Sequence, residues 1–441
     1  MSYSKKTFSI FQRDILLFVS NTITGIVIAR ILGPNLRGLF SIVLLIPGYA
    51  ESFGRLKYDI SAIYFLGKNK VSLGQMVFLL NCIAIISSIA IVLVIQIKFN
   101  DIYNYLFINS EINMRLMTQL VLLIIPLQFI YLNYSYLLIY LEDIRHYNQM
   151  VIYKAITGAI TSIVLIAGFG LGIMGAVIGS IVGYIIPVLI GVKSISSREK
   201  AVPNFNLKLF WEMTKFSFQH YLTGIVSYSH QSLTNLMLVY YVLPAQVGFF
   251  SMAKNQSQLL TRMVPGAVNT LLFPKISKTR DQNDSSKITV RSFRITLLIL
   301  IIFGSLMTLV IKPLVWILYG SEFLPMILPF IIILPGLVIS QSSTIFNSYF
   351  SGVGRPDLVF KLSILPLIAQ LILAVMLIPN YGVIGGAIAF SLSSIILSLA
   401  TMLVFGKLTG AKAQDYVIKY ADFTYVVNFA RSYISNIIWK R

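Results

Sequence analysis

The sequence predicts an all-α polytopic membrane protein with twelve transmembrane helices in two six-helix lobes related by internal duplication. Three observations predict it. First, the 441 residues are 57% apolar and only 11% charged, a balance that needs many membrane spans. Second, apolar runs of about 20 residues recur along the whole chain. Third, residues return 210 positions later: Pro34, Gly38, Phe40 and Ser41 as Pro244, Gly248, Phe250 and Ser251; Lys5, Phe8 and Thr24 as Lys215, Phe218 and Thr234; Lys68 as Lys278; Arg145 as Arg355; Gly172 and Gly175 as Gly382 and Gly385. A hydrophobic chain written as two tandem repeats has the anatomy of a transporter, with a binding site between halves that rock around it.

The first lobe, residues 1–200, holds spans near 8–31, 36–60, 72–97, 115–140, 147–168 and 171–192. The polar start, Met1 to Ser9, runs straight into the first span with no small-residue cleavage site, so that span is expected to be retained. Gly33-Pro34-Asn35 supplies the turn into the second span and Gly170-Leu171-Gly172 the turn into the sixth. The second lobe, 201–408, holds spans near 208–240, 246–272, 290–312, 324–350, 357–379 and 382–406, with Pro379-Asn380-Tyr381-Gly382 joining the last two. The tail, 409–441, is interrupted by Lys419, Asp422 and Arg431, and reads as a cytoplasmic interfacial segment with Trp439, Lys440 and Arg441 at the headgroups.

Charge sets the orientation. With the N-terminus inside, only Arg37, Lys98, Arg115 and Lys312 fall in outer segments. Arg13, Arg30, Lys154, Lys215, Lys254 and Arg262 fall within spans, and the remaining Lys and Arg are cytoplasmic. That bias predicts an N-in, C-in topology and contact with anionic lipid at the cytoplasmic face. The net charge of +20 therefore belongs to loops rather than to a basic soluble domain, and no nucleic-acid partner is expected. With three His and one cysteine, Cys82, an internal disulfide and a zinc site of two or more Cys are excluded. There is no phosphate loop, HExxH or GxSxG, and no paired-carboxylate motif on an outer loop. No catalysis, metal or cofactor is expected.

The chemistry lies in polar residues inside apolar helices, which are costly unless they face a cavity or a partner. On the seventh span His220, Thr223, Ser227, Gln231 and Thr234 share one face. Water in a lumen and hydrogen bonds between helices both account for such a stripe. On the eighth, Ser251, Lys254, Gln258 and Thr261 share a face with Arg262 beside it, and no Asp or Glu occurs in that span. An anion site is the reading preferred over a structural ion pair. Lys215, Arg13 and Arg30 are further cationic candidates, the last two equally suited to anchoring at the interface. Asp14, Glu51 and Asp59 are candidates for ion coupling. Glu51, Arg55 and Asp59 are also spaced at i, i+4 and i+8, so a static pair of ion bridges competes with that role. Lys154 has no nearby acid in sequence and could line the lumen or snorkel inward.

Several segments resemble one family. Ile28-Ala29-Arg30-Ile31-Leu32-Gly33-Pro34 followed by Arg37-Gly38-Leu39-Phe40-Ser41 is similar to the helix 1–2 signature of Wzx-type polysaccharide and O-antigen flippases, of the multidrug/oligosaccharidyl-lipid/polysaccharide (MOP) exporter superfamily. Gln246 to Ala253, Leu272 to Ser277, Ser351 to Pro356 and Tyr381 to Ala387 resemble later parts of the same family. The likeness runs from residue 1 to about 408 and rests on structural motifs. It implies a MATE-like V-shaped bundle around a cationic lumen in the bacterial inner membrane. It also implies transport of undecaprenyl-diphosphate-linked oligosaccharide, with H+ or Na+ as counter-ion and a polysaccharide polymerase and chain-length regulator as partners. Lipid II flippases of the superfamily carry two further helices, whose absence here points to O-antigen, capsule or exopolysaccharide units. The alternatives are a cation-coupled small-molecule exporter of the same fold, in which lumen acids rather than bases matter, and an inner-membrane oligosaccharide polymerase, which would need a large outer loop.

Overall fold

The computed structural model describes residues 3–203, 206–278, 282–426 and 428, all helical or connecting segments. The helices are α1 (Tyr3–Val43), α2 (Leu45–Gly54), α3 (Tyr58–Gly67), α4 (Leu73–Ile97), α5 (Phe99–Leu106), α6 (Arg115–Val121), α7 (Ile124–Tyr140), α8 (Ile144–Ile163), α9 (Gly172–Ser196), α10 (Leu207–Tyr241), α11 (Pro244–Lys278), α12 (Gln282–Leu318), α13 (Ile327–Gly352) and α14 (Pro356–Thr409). Among the described residues eight helical stretches are long and apolar enough to cross a membrane. Two of these, Gln12–Gly54 and Asp357–Thr409, are far longer than one crossing. Glycines break both. Gly33 (φ 70°, ψ 173°) interrupts α1 and Gly382 (φ 52°, ψ −126°) interrupts α14. Both positions coincide with the turns expected from sequence, since only glycine enters these conformations at little cost. The two polar helices, α10 and α11, are not among the eight.

The second span differs from its expected form. The apolar pattern runs from 36 to 60, but the helix stops at Gly54 and restarts at Tyr58, with Lys57 in the left-handed region (φ 55°). The segment 98–114, between two expected spans, contains α5. From it the Asn109 amide donates to the carbonyls of Val239 (3.1 Å), Tyr240 (2.9 Å) and Val242 (3.3 Å), which cap the end of α10.

Packing divides the chain at other points than the repeat does. One unit is Met1–Gly248 with Leu318–Glu322; the other is Phe249–Ile317 with Phe323–Arg441. The boundary expected at 200/201 follows the sequence repeat, whereas α10 packs on α2, α3 and α5 of the first unit. The reasons are specific. Tyr58 and Thr214 share a hydroxyl hydrogen bond of 2.8 Å, Tyr221 Oη donates to the Phe53 carbonyl (2.9 Å), and Tyr228 meets Tyr49 edge to face.

Within the first unit, helices approach through small residues. Gly158 and Gly183 let α8 and α9 touch at the backbone, and Gly179 sits directly over Ser162. Repeat-related positions also meet there: a Cβ on Gly38 would run into the Pro244 carbonyl, and one on Gly248 would press on Gly38 and Pro34. Gly38→Ala should therefore destabilise by about 1–3 kcal/mol, the usual cost of overpacking. Gly25→Ala, where nothing lies within 4 Å, should be neutral or stabilising. Melting of the purified proteins in detergent checks this, and equal melting temperatures for the two variants would contradict it.

In the second unit, Phe293, Phe346, Tyr349, Phe350 and Phe405 form a fully buried aromatic core, into which Tyr416 of the tail inserts. Tyr416 Oη donates to the Met402 carbonyl (3.0 Å), and Arg294 forks onto Asp422 (2.8 and 3.3 Å). The tail is thus docked on the helices as far as Asp422, while Trp439, Lys440 and Arg441 lie outside the described residues. One local geometry repeats at the 210-residue offset. Gly172 (φ 51°) and Gly382 (φ 52°) share a left-handed backbone, and Gly175 and Gly385 each press on the end of the preceding helix.

Candidate functional site

Two clusters of charge lie inside the helices, one in each unit. In the second unit, Lys254 follows the start of α11, where Pro244 occupies a helix-opening position that has no need of an amide N–H. Ten residues on, its side chain is buried, with the ammonium 5.7 Å from the ring centroid of Phe250 one turn back and 5.9 Å from that of Phe390 on α14. Both rings offer their faces to the cation. Arg262 lies two turns further, about 12 Å along the axis, on an exposed face, and the two like charges act on each other. Between them Gln258 is half-buried. Thr261 is buried and its hydroxyl donates to the Ser257 carbonyl (2.8 Å), so its proton serves the helix itself.

In the first unit, the stripe on α10 is graded. His220 is exposed, with its ring 5.8 Å from Phe216; Thr223, Ser227 and Gln231 are half-buried; Thr234 is fully buried. Lys215 and Arg30 are exposed. Arg13 is engaged on three sides: its guanidinium donates to Asp14 (2.7 and 3.0 Å) and to Asn148 (3.2 Å), and lies 5.1 Å from the Tyr147 ring centroid. Adjacent residues on a helix point apart, but the long arginine side chain folds back onto its neighbour. This geometry gives Asp14 a fixed partner.

The carboxylates of α2 and α3 form a connected group. Arg55 Nη2 lies 2.9 Å from Asp59 Oδ1, and Nη1 lies 3.9 Å from Glu51 Oε1. Lys57 reaches Glu51 at 3.5 Å, and Gln128 of α7 donates to it at 2.5 Å. The i, i+4 spacing noted in the sequence is thus bridged, but across the helix break at 55–57 rather than along a continuous helix. Asp59 is fully buried. Its contact with Arg55 is a charge contact without hydrogen-bond alignment, and neither carboxylate oxygen receives a donor among the described residues.

For Lys154 the sequence offers a lumen-lining position or an inward snorkel, and the structure gives it a cavity. The cavity, about 570 Å³, lies inside the first unit, with the ammonium 4.2 Å from the Tyr184 ring centroid and 5.0 Å from that of Tyr131. The signal in the sequence was a solitary Lys within an apolar span four residues before Gly158. Its aromatic partners come from α7 and α9, which no local pattern connects. Among the described residues no group of three or more His, Cys, Asp or Glu could hold a metal ion.

Multi-pass helices with cations held inside them define a polytopic membrane protein of transporter architecture. The chain belongs to the family described as polysaccharide biosynthesis protein, which matches residues 27–328. It is similar to the probable low-salt glycan biosynthesis flippase Agl15 of Haloferax volcanii, with 23% identity over 206 residues. That match covers 46% of this chain and 43% of the relative, so the chain spans less than half the length of that protein. Among solved structures it is similar to the lipid II flippase MurJ in an inward closed conformation, with TM-score 0.75, 18% identity, and 96% of this chain and 92% of that one covered. It is also similar to an inward-facing multidrug resistance MATE family transporter of the MOP superfamily, with TM-score 0.73, 13% identity and coverage of 90% and 96%. These likenesses establish the MOP fold. The relatives are named as flippases and transporters, not as catalytic enzymes.

Proposed function

We propose that this protein is a flippase that moves undecaprenyl-diphosphate-linked oligosaccharide across the bacterial inner membrane by alternating access. The observation that carries the reading is the pair of like charges on α11. Lys254 is buried against two aromatic rings and Arg262 shares its helix, an arrangement that a dianionic diphosphate stabilises and a cationic drug does not. Twelve crossings, N-in and C-in, follow if α1 and α14 each count as two at their glycine breaks and α10 and α11 also span. The lobes of the repeat, 1–200 and 201–408, would then rock around a lumen that also receives the α10 stripe, with Lys215, Arg13 and Arg30 at its mouths. Of the three acids, Asp59 and Glu51 suit coupling to H+ or Na+ better than Asp14, whose partner is adjacent. O-antigen, capsule or exopolysaccharide units all fit, and a polymerase and chain-length regulator would act on the product.

Cells lacking the protein should accumulate lipid-linked oligosaccharide whose sugars resist a membrane-impermeant oxidant, and should lose surface glycan. Accumulation of carrier-linked glycan open to the oxidant would place the defect after translocation and reject the proposal.

A further inference from the structure

In the first unit Arg55 faces Asp59, Lys57 faces Glu51, and Arg13 faces Asp14. Lys154 is the charged side chain in the lining of the cavity itself. Among the described residues no carboxylate lies within ion-pair distance of it, and Glu51, whose field reaches it, is already engaged by Arg55, Lys57 and Gln128. Two tyrosine rings, edge to face at 5.5 Å, hold the ammonium in the cavity wall. Aromatic faces offset only part of the desolvation of an ammonium, and the remainder favours an anion from outside the chain.

The rest of the lining specifies the company that anion keeps. Asn21, Thr24 and Gln128 border the same space as Lys154, Tyr131 and Tyr184. Gln128 gives one amide hydrogen to Glu51 and Thr24 its hydroxyl proton to the Ser20 carbonyl (2.7 Å), so the Gln128 carbonyl and the Thr24 hydroxyl oxygen remain as acceptors. Acceptors beside flat aromatic faces suit the hydroxyls and C–H faces of a sugar, and 570 Å³ lies within the range of small-ligand sites. The charge count decides between the two anions that a lipid-linked glycan could bring. One uncompensated positive charge balances one carboxylate, whereas a diphosphate would leave net negative charge in a poorly solvated cavity.

We infer that this cavity is a saccharide subsite for a carboxylate-bearing sugar, so that the transported glycan is acidic. The inference rests on the flippase reading above. The test is transport in proteoliposomes of two synthetic substrates, undecaprenyl-diphosphate disaccharides ending in glucuronic acid or in glucose. Wild-type protein should move the acidic substrate about tenfold faster at limiting concentration, the ratio expected of one charge-assisted contact. Lys154→Gln should erase that preference by lowering the acidic substrate's rate to that of the glucose substrate, and Lys154→Arg should keep it. Lys254→Ala should slow both substrates alike. Equal wild-type rates would overturn the inference, as would a Lys154→Gln loss equal for both substrates, which would assign the anion to the diphosphate. Wild-type protein that moves neither substrate would instead bring down the flippase reading, and this subsite with it.

Discussion

Lys254→Ala and Arg262→Ala are each expected to reduce translocation of a lipid-linked oligosaccharide by roughly 10- to 100-fold, the loss of one hydrogen bond to a charged group. The reasoning starts from burial. Lys254 lies among Phe250 and Phe390, where an ammonium is poorly solvated and an approaching anion is weakly screened. Arg262 adds a fork able to grip phosphate oxygens on two sides, which Lys does not reproduce. Arg262→Lys should accordingly recover only part of the rate, while Lys68→Ala, on the exposed turn after α3, should change nothing. Initial rates in proteoliposomes at matched protein density check this. Wild-type rates in both alanine variants would make the two charges structural.

The second large effect is on stability. Arg55→Met should cost about 3–5 kcal/mol, because it strips the charge partner from a carboxylate that cannot reach water. Asp59 is fully buried, and its oxygens have no hydrogen-bond donor among the described residues, so Arg55 is its principal compensation. Removing both charges together, as Arg55→Met with Asp59→Leu, should restore most of the loss, since buried ion pairs gain little over well-packed apolar groups. The same double variant separates structure from coupling. If Asp59 binds the driving ion, the folded double variant should transport without responding to an imposed gradient. A gradient response retained in full would assign the coupling elsewhere, with Glu51 the next acid to test. Thermal melting of single and double variants reads the stability part; equal losses in the two would refute the pairing argument.

How much of this was legible in the sequence depended on whether the cause was local. Gly33 and Gly382 announced the breaks in α1 and α14, because glycine beside proline or asparagine signals a turn through its own backbone preferences. The break at 55–57 was not legible: Arg55, spaced four residues from both Glu51 and Asp59, reads as a member of one continuous helix. Its cause is tertiary, since Ser217 of α10 donates to the Lys57 carbonyl that the break exposes. The polar face of α11 followed from spacing, and Lys254 did prove buried. Thr261 looked like its companion on that face, yet its hydroxyl turns back to the helix backbone, a choice that spacing does not express. Lys154 was visible only as an oddity, because Tyr131 and Tyr184 reach it from helices that follow other rules in the sequence. The repeat foretold where glycines would be needed, but not that α10 would pack with the first unit, since that depends on which tyrosines find carbonyls across helices.

The most direct test of the flippase reading is translocation itself. Purified protein is reconstituted into liposomes carrying undecaprenyl-diphosphate oligosaccharide in both leaflets, and an impermeant oxidant then removes the outer-leaflet glycan. Protein-dependent transfer should expose the protected inner pool to the oxidant at a rate that scales with protein density and falls in Lys254→Ala. An inner pool that stays protected at every protein density, with the protein folded and inserted, would contradict it.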